Sequence, residues 1–145
     1  MKKLLLILIL AIAFAFTTFA QGYIGQTSYY IKNDVNERYG TTVKAITPET
    51  GLLTIEFYDG RTGIYILNDN NVCKYYCLCY PNSFYTDMVG YMNNHYTKIS
   101  GLYTWYEKID ANYVYYEFIT REKVFWMVIY PDFYNSEALE LKKML

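Results

Sequence analysis

The sequence predicts an α+β domain in which helices cover one face of an antiparallel sheet. Stretches of alternating apolar and polar residues, separated by short polar turns, are typical of strands. Other stretches repeat their apolar residues at helical spacing. The chain also matches itself at an offset of 50 residues, which indicates a duplicated unit. Together these observations predict two tandem repeats, each a helix followed by a three-stranded antiparallel meander.

The self-match defines the two predicted repeats. The aligned segments are 51–55 with 101–105, Tyr65 with Tyr115, and 79–81 with 129–131. Several matches in the same order at one offset favour duplication over chance. The repeat units are predicted at about 28–80 and 81–130, and two copies are too few for a solenoid.

Each predicted repeat begins with a helix. Ser28 is a candidate N-cap for a helix that ends near Tyr39, with Ile31 and Val35 on one face. The second helix is predicted over 81–96, with apolar spacing at Phe84, Met88, Tyr91, Met92 and His95. A C-terminal helical tail is predicted over 136–145, where acidic residues precede lysines as the helix dipole favours.

Six strands follow from the alternation and from turn signals such as Asp59-Gly60. The predicted strands are 52–58, 63–67 and 72–80 in the first repeat, and 99–108, 113–120 and 124–130 in the second. Since side chains alternate between the two faces of a strand, each strand offers one set to the core. The predicted core set is Leu53, Ile55, Phe57, Ile64, Ile66, Cys73, Tyr75, Cys77, Cys79, Val114, Tyr116, Phe118, Phe125, Met127 and Ile129.

The opposite sheet face is predicted to be uncovered and rich in aromatic side chains. The chain contains 19 tyrosines, and tyrosine and tryptophan dominate binding hot spots. The candidate binding residues are Tyr65, Tyr76, Tyr80, Tyr106, Tyr115, Trp126 and Tyr130. The alternative is that tyrosine is simply a good cross-strand residue, and that the terminal segments cover part of this face.

The first 20 residues have the three parts of a secretory signal peptide. Lys2 and Lys3 precede an apolar run over 4–16, and Thr18-Phe19-Ala20 places small residues before a cleavage site. The run is shorter than the roughly 20 apolar residues that cross a bilayer. We therefore expect cleavage after Ala20, a single mature domain over 21–145, and a periplasmic or secreted location without membrane insertion.

The charge balance narrows the choice of partners. Removal of Lys2 and Lys3 leaves 11 basic residues against 14 acidic ones, a net charge of about −3 with no basic cluster. Electrostatic binding to nucleic acid or to anionic lipid is therefore not expected.

No catalytic, metal or cofactor signature accompanies these features. His95 is the only histidine, and a structural role is favoured over catalysis because no nucleophile motif accompanies it. Cys73, Cys77 and Cys79 lie on one predicted strand, where alternate residues are too far apart for a disulfide, so we expect reduced core thiols. Glu56 and Glu117 are scattered carboxylates. We predict a non-enzymatic protein without cofactor or metal.

The order of elements over about residues 28–130 resembles β-lactamase-inhibitor-protein-like domains, with their tandem helix-plus-meander layout. It also resembles small outer-membrane assembly lipoproteins and other small exported bacterial proteins. The lipoproteins carry an attachment cysteine after the leader, and none follows here. The predicted function is an exported binding module that uses the aromatic face on a protein partner, as an inhibitor or envelope accessory. The alternatives are a carbohydrate-binding protein that uses the same face, and a small hydrolase around His95.

Overall fold

A computed structural model of the chain describes residues 22–145. The predicted signal peptide and its cleavage site after Ala20 lie outside the described residues. Within them, eight strands form a single antiparallel sheet, and three α-helices pack on it. None of these helices is long and apolar enough to cross a membrane.

The elements follow one another along the chain with short connections. The helices are α1 (Ser28–Tyr39), α2 (Tyr85–His95) and α3 (Asn135–Met144). The strands are β1 (Val43–Glu49), β2 (Leu52–Phe57), β3 (Thr62–Leu67), β4 (Cys73–Pro81), β5 (Thr97–Lys98), β6 (Thr104–Ile109), β7 (Asn112–Thr120) and β8 (Val124–Pro131). Short 3-10 helices, Asn82–Phe84 and Asp132–Tyr134, precede α2 and α3. The strand order in the sheet is β1-β2-β3-β4-β8-β7-β6-β5.

The structure confirms the α+β character with an antiparallel sheet, but the predicted pair of helix-plus-three-strand repeats is wrong. The eight strands form one continuous sheet, in which β4 pairs with β8 at the centre. The predicted strand over 99–108 is shorter, and the separate strand β5 precedes it. β1 was not predicted, and Pro48 lies within it. Proline is tolerated there because β1 is an edge strand, whose outer N–H groups have no ladder partner.

The helices form where the sequence indicates, with small changes at their ends. The Thr27 hydroxyl, and not Ser28, caps α1 by accepting a 3.2 Å hydrogen bond from the Tyr30 N–H. Ile31 and Val35 are buried as predicted. The prediction that helices cover only one face of the sheet is wrong, because α3 packs on the face opposite α1 and α2.

Two hydrophobic cores therefore lie on opposite faces of the sheet. The main core, under α1 and α2, includes Ile31, Val35, Leu53, Ile55, Phe57, Tyr65, Tyr76, Leu78, Tyr80, Met88, Met92, Trp105, Tyr116, Phe118, Phe125, Met127 and Ile129. The second core, under α3, comprises Tyr75, Cys77, Val128, Tyr130, Ala138 and Leu141. The predicted core faces of β2, β7 and β8 are confirmed.

The predicted faces of β3 and β4 are reversed over most of their length. A β-bulge between β3 and β4 is the physical cause in β4: Leu67 pairs with Cys73, but Ile66 pairs with Tyr75, which leaves Lys74 as an extra residue. Lys74 and Tyr75 both contact α3 or the residues before it, since Lys74 pairs with Glu137 and Tyr75 contacts Tyr134. Beyond the bulge, every side chain of β4 lies on the face opposite to the predicted one.

Candidate functional site

Three of the seven predicted binding residues are buried in the main core. Tyr65 and Tyr76 are 0% exposed and Tyr80 is 2% exposed, so the prediction that they lie on an uncovered face is wrong. Tyr65 and Tyr76 pair across β3 and β4, and their rings stack with centroids 5.3 Å apart. Gly63 makes room for this arrangement, because a Cβ atom there would lie 2.9 Å from the Tyr65 hydroxyl.

The other four predicted residues, Tyr106, Tyr115, Trp126 and Tyr130, lie on the sheet face that carries α3. Tyr130 is 5% exposed and belongs to the second core, while Tyr115 and Trp126 are half-buried against that core. Tyr106 is also half-buried, with its neighbour Trp105 in the main core on the other face. The structure thus brings together Tyr106, Tyr115 and Tyr130.

A row of tyrosines crosses strands β6, β7 and β8 on this face, and we call Tyr113, Tyr106, Tyr115 and Tyr130 the tyrosine row. Tyr106 pairs with Tyr115, and Tyr115 pairs with Tyr130, in the ladders of the sheet. The ring centroids of successive members are 5.7, 6.4 and 5.5 Å apart. Such contacts hold the rings in fixed orientations. Tyr113, at the open end of the row, is 40% exposed.

A groove of about 450 Å³ runs beside the tyrosine row, and we call it the tyrosine groove. Its lining residues come from the β5–β6 loop, from strands β6 to β8, and from the start of α3 and the 3-10 helix before it. They are Ile99, Leu102, Tyr103, Thr104, Tyr115, Glu117, Phe118, Tyr130, Asp132 and Asn135. Leu102 and Tyr103 are 54% and 56% exposed, so the loop side of the groove presents large apolar side chains to solvent.

Hydrogen bonds and charges fix the polar side of the tyrosine groove. Glu117 accepts hydrogen bonds from the Lys142 ammonium at 2.7 Å and from the Tyr130 hydroxyl at 3.1 Å. The Lys142 ammonium also lies 4.7 Å from the centre of the Tyr130 ring, a cation–π contact. One end of α3 is thereby held against the tyrosine row.

Tyr115 and Tyr130, the two members of the row that line the tyrosine groove, remain protonated at neutral pH. Burial, and then the neighbouring Asp132 carboxylate, raise the pKa of Tyr115. Burial raises the pKa of Tyr130 as well, and the Glu117 carboxylate adds to this effect. The Tyr130 phenol therefore acts as a hydrogen-bond donor to the Glu117 carboxylate.

His95 lies apart from this site. Its side chain is exposed near the end of α2, its Nδ1 atom is 2.8 Å from the Tyr91 carbonyl oxygen, and its ring stacks on the Tyr91 ring at 4.0 Å. No hydroxyl, thiol or carboxylate within residues 22–145 forms a hydrogen bond with His95. The hydrolase hypothesis therefore has no nucleophile or orienting acid bonded to this histidine in the described structure.

The three cysteines are buried and unpaired in the described structure. Burial raises the pKa of the Cys73 and Cys77 thiols to about 12, so neither is a thiolate at neutral pH. Within residues 22–145, no cluster of three or more histidine, cysteine or acidic side chains could hold a metal ion.

Sequence reasoning missed the residues that turn the tyrosine row into a groove. Asp132 and Asn135 were not candidates, although both follow Pro131 at the end of β8, where the chain turns into α3. Leu102 and Tyr103 were assigned to a strand, but they belong to a loop. In the sequence, Gly101 is the residue that could have indicated this loop, since glycine is typical of turns. In the structure its φ is 78°, which marks a turn.

Comparison with known proteins does not identify the chain: it matches no protein family, no curated protein and no solved structure.

Proposed function

We propose that this is an exported, non-enzymatic binding protein that holds a segment of another protein along the tyrosine row and in the tyrosine groove. The observation that supports this most directly is the ordered row of four rings beside an open groove. Tyrosines that are already fixed by their neighbours lose little conformational entropy when they bind. The predicted signal peptide supports a location outside the cytoplasm.

The exposed apolar side chains around the tyrosine groove favour a protein partner. Leu102 and Tyr103 are both more than half exposed on the loop side. Aliphatic and aromatic side chains together form the centre of protein interfaces, where their burial from water supplies binding free energy.

A glycan is the second candidate, and a different observation favours it. Thr104, Asp132 and Asn135 place a hydroxyl, a carboxylate and an amide around Tyr115 in the groove. Sugars bind with a ring stacked on an aromatic face and with hydroxyls bonded to such polar groups. Glu117 adds little to this set, because Lys142 and Tyr130 already bond to its carboxylate.

A photo-crosslinking experiment tests the location of the binding surface. Peptides that bind the purified protein are first selected from a random displayed library. A photoreactive phenylalanine analogue then replaces Tyr113, or replaces Tyr58 in a control protein. Tyr58 is 73% exposed and follows β2, four strands away from β7 in the sheet. We expect peptide crosslinks from position 113 only. Equal crosslinking from both positions would overturn the proposal.

Two further measurements separate the alternatives. The first is glycan binding. If Tyr115→Ala abolishes the binding of a soluble glycan, and no selected peptide competes with that glycan, the carbohydrate hypothesis replaces that of a protein partner. A hydrolytic activity that His95→Ala removes would support an enzyme instead.

A further inference from the structure

A second pocket lies at one end of the sheet, next to the turn that joins β6 to β7, and it takes no part in the proposed function. Its volume is about 210 Å³. Its walls are mostly apolar and aromatic, and they reach into the main core. The apolar and aromatic lining residues are Ile24, Tyr76, Ile109, Val114, Tyr116, Ile129, Pro131 and Phe133. We call it the end pocket.

The charged lining of the end pocket is acidic. Glu107 and Asp110 both line it, and none of the described residues that line it is a lysine or arginine. Within residues 22–145, neither carboxylate belongs to an ion pair. Glu107 accepts a hydrogen bond from the Tyr116 hydroxyl through Oε1, which holds the carboxylate in place.

The end pocket thus combines an apolar interior with two negative charges that no basic side chain neutralises. An anionic ligand would be repelled, and a purely apolar ligand would remove water from the carboxylates without replacing their hydrogen bonds. An ammonium group forms charge-assisted hydrogen bonds with carboxylates. The ring of Phe133, which is 64% exposed, also favours a cation, because aromatic faces attract positive charge.

We propose that the end pocket binds a small organic cation, a free amine with an apolar body. The apolar body would contact Ile24, Ile109 and Val114, and the ammonium group would lie near Glu107 and Asp110. The pocket volume of about 210 Å³ suits a ligand with a single ring or a short alkyl chain. It is small for a peptide or an oligosaccharide.

Titration calorimetry with three compounds of similar shape tests the charge requirement. Benzylammonium, neutral benzyl alcohol and anionic benzoate are each titrated into the purified protein. We expect saturable binding of benzylammonium, at least tenfold weaker binding of the alcohol, and no binding of benzoate. Equal affinity for benzylammonium and benzyl alcohol, or no saturable binding of benzylammonium, would overturn the proposal. If Nα-acetyl-lysine methylamide binds more tightly than benzylammonium, the proposal is also overturned, because that result would assign the pocket to a lysine side chain of a partner protein.

Variants test the position of the site. Glu107→Gln retains an oxygen that can accept from Tyr116, and Asp110→Asn retains a residue that tolerates the positive φ of 54° in this turn. Each should weaken benzylammonium binding about three- to tenfold. Glu140→Gln is the matched control, because Glu140 lies on α3 and pairs with Lys143. If Glu140→Gln weakens binding as much as the other two, the effect is one of net charge and the site is wrong.

Discussion

At the scale of single residues, tyrosine has two different roles in this protein. Tyr65 and Tyr76 lie fully inside the main core, whereas Tyr113 keeps much of its ring in water. The amino-acid type gives no hint of this division, because tyrosine is amphipathic and suits both environments. In β4, position relative to the bulge decides which core a tyrosine joins: Tyr75 lies in the second core, and Tyr76 and Tyr80 lie in the main core.

Substitution of individual tyrosines should reveal the two roles. Tyr76→Ala leaves a large cavity in the main core and should lower the free energy of unfolding by about 3–5 kcal/mol. Tyr113→Ala should lower it by less than about 1 kcal/mol, because the ring is partly exposed and close to a turn. Chemical denaturation of both variants measures the difference. Similar losses would show that the tyrosine row is as buried as the core.

The cysteines give a second prediction at this scale. Because burial raises the pKa of Cys77 to about 12, only about one thiol in ten thousand is ionised at pH 8. Ellman's reagent should therefore react with the native protein much more slowly than with the protein in guanidinium chloride, where three thiols should react. A fast native reaction, or fewer than three thiols after unfolding, would contradict the buried and unpaired state.

At the scale of elements, α3 is a small helix with a large effect on what the sheet exposes. Ala138 and Leu141 are its buried residues, and they cover Val128 and Tyr130 of β8. Ion pairs hold the helix near both ends, between Lys74 and Glu137 and between Lys142 and Glu117. The helix therefore closes the second core, while its first residue, Asn135, lines the open tyrosine groove.

Two leucines of α3 provide a matched test of this packing. Leu141→Ala should destabilise the protein by about 2–3 kcal/mol, because Leu141 fills the second core. Leu139→Ala should change stability by less than about 0.5 kcal/mol, because Leu139 is exposed on the same helix. Thermal unfolding distinguishes the two. If both variants unfold like the unmodified protein, α3 is not packed against β8 as described.

The elements also show how far the sequence could predict this fold. The faces of β2, β7 and β8 follow simple alternation, so periodicity predicted their core residues. In β4 a single extra residue, Lys74, reverses the alternation, and no local feature of the sequence reveals such a bulge. The tail helix was predicted, but its place over the tyrosine face depends on long-range contacts with β8, which local patterns do not encode.

For the candidate site, the sequence could predict aromatic richness but not the groove. Tyr106, Tyr115 and Tyr130 were predicted to share a face, and they do. The groove itself depends on the β5–β6 loop and on Asp132 and Asn135 lying near Tyr115. These segments are distant in sequence, so their meeting follows from the sheet order alone.

At the scale of the whole molecule, many buried phenols and thiols should make the fold sensitive to alkali. Burial raises the pKa of Tyr65, Tyr76 and Tyr116, while the same groups ionise near pH 10 in the unfolded chain. Above that pH the unfolded chain binds fewer protons than the folded one, so stability falls as the pH rises. The thiols add the same effect from about pH 9.

We therefore expect the free energy of unfolding to fall steadily above about pH 9, by up to about 1.4 kcal/mol per pH unit for each such group. Tyr65→Phe should make the fall less steep, because it removes one of these phenols. Its hydroxyl is buried without a hydrogen-bond partner among the described residues, so the substitution should not lower stability at pH 7. Denaturant titrations at pH 7 and pH 10.5 measure both effects. A stability that is constant over this range would contradict the buried state of these tyrosines.

The two faces of the sheet differ: α1 and α2 close one face into a core, and the other keeps Tyr106, Tyr113 and Tyr115 partly exposed beside α3. The most direct test is the affinity of one library-selected peptide for Tyr113→Ala and Tyr58→Ala, measured by calorimetry on folded protein. The account predicts at least tenfold weaker binding to Tyr113→Ala and unchanged binding to Tyr58→Ala. Unchanged binding to Tyr113→Ala, or an equal loss in both variants, would contradict it.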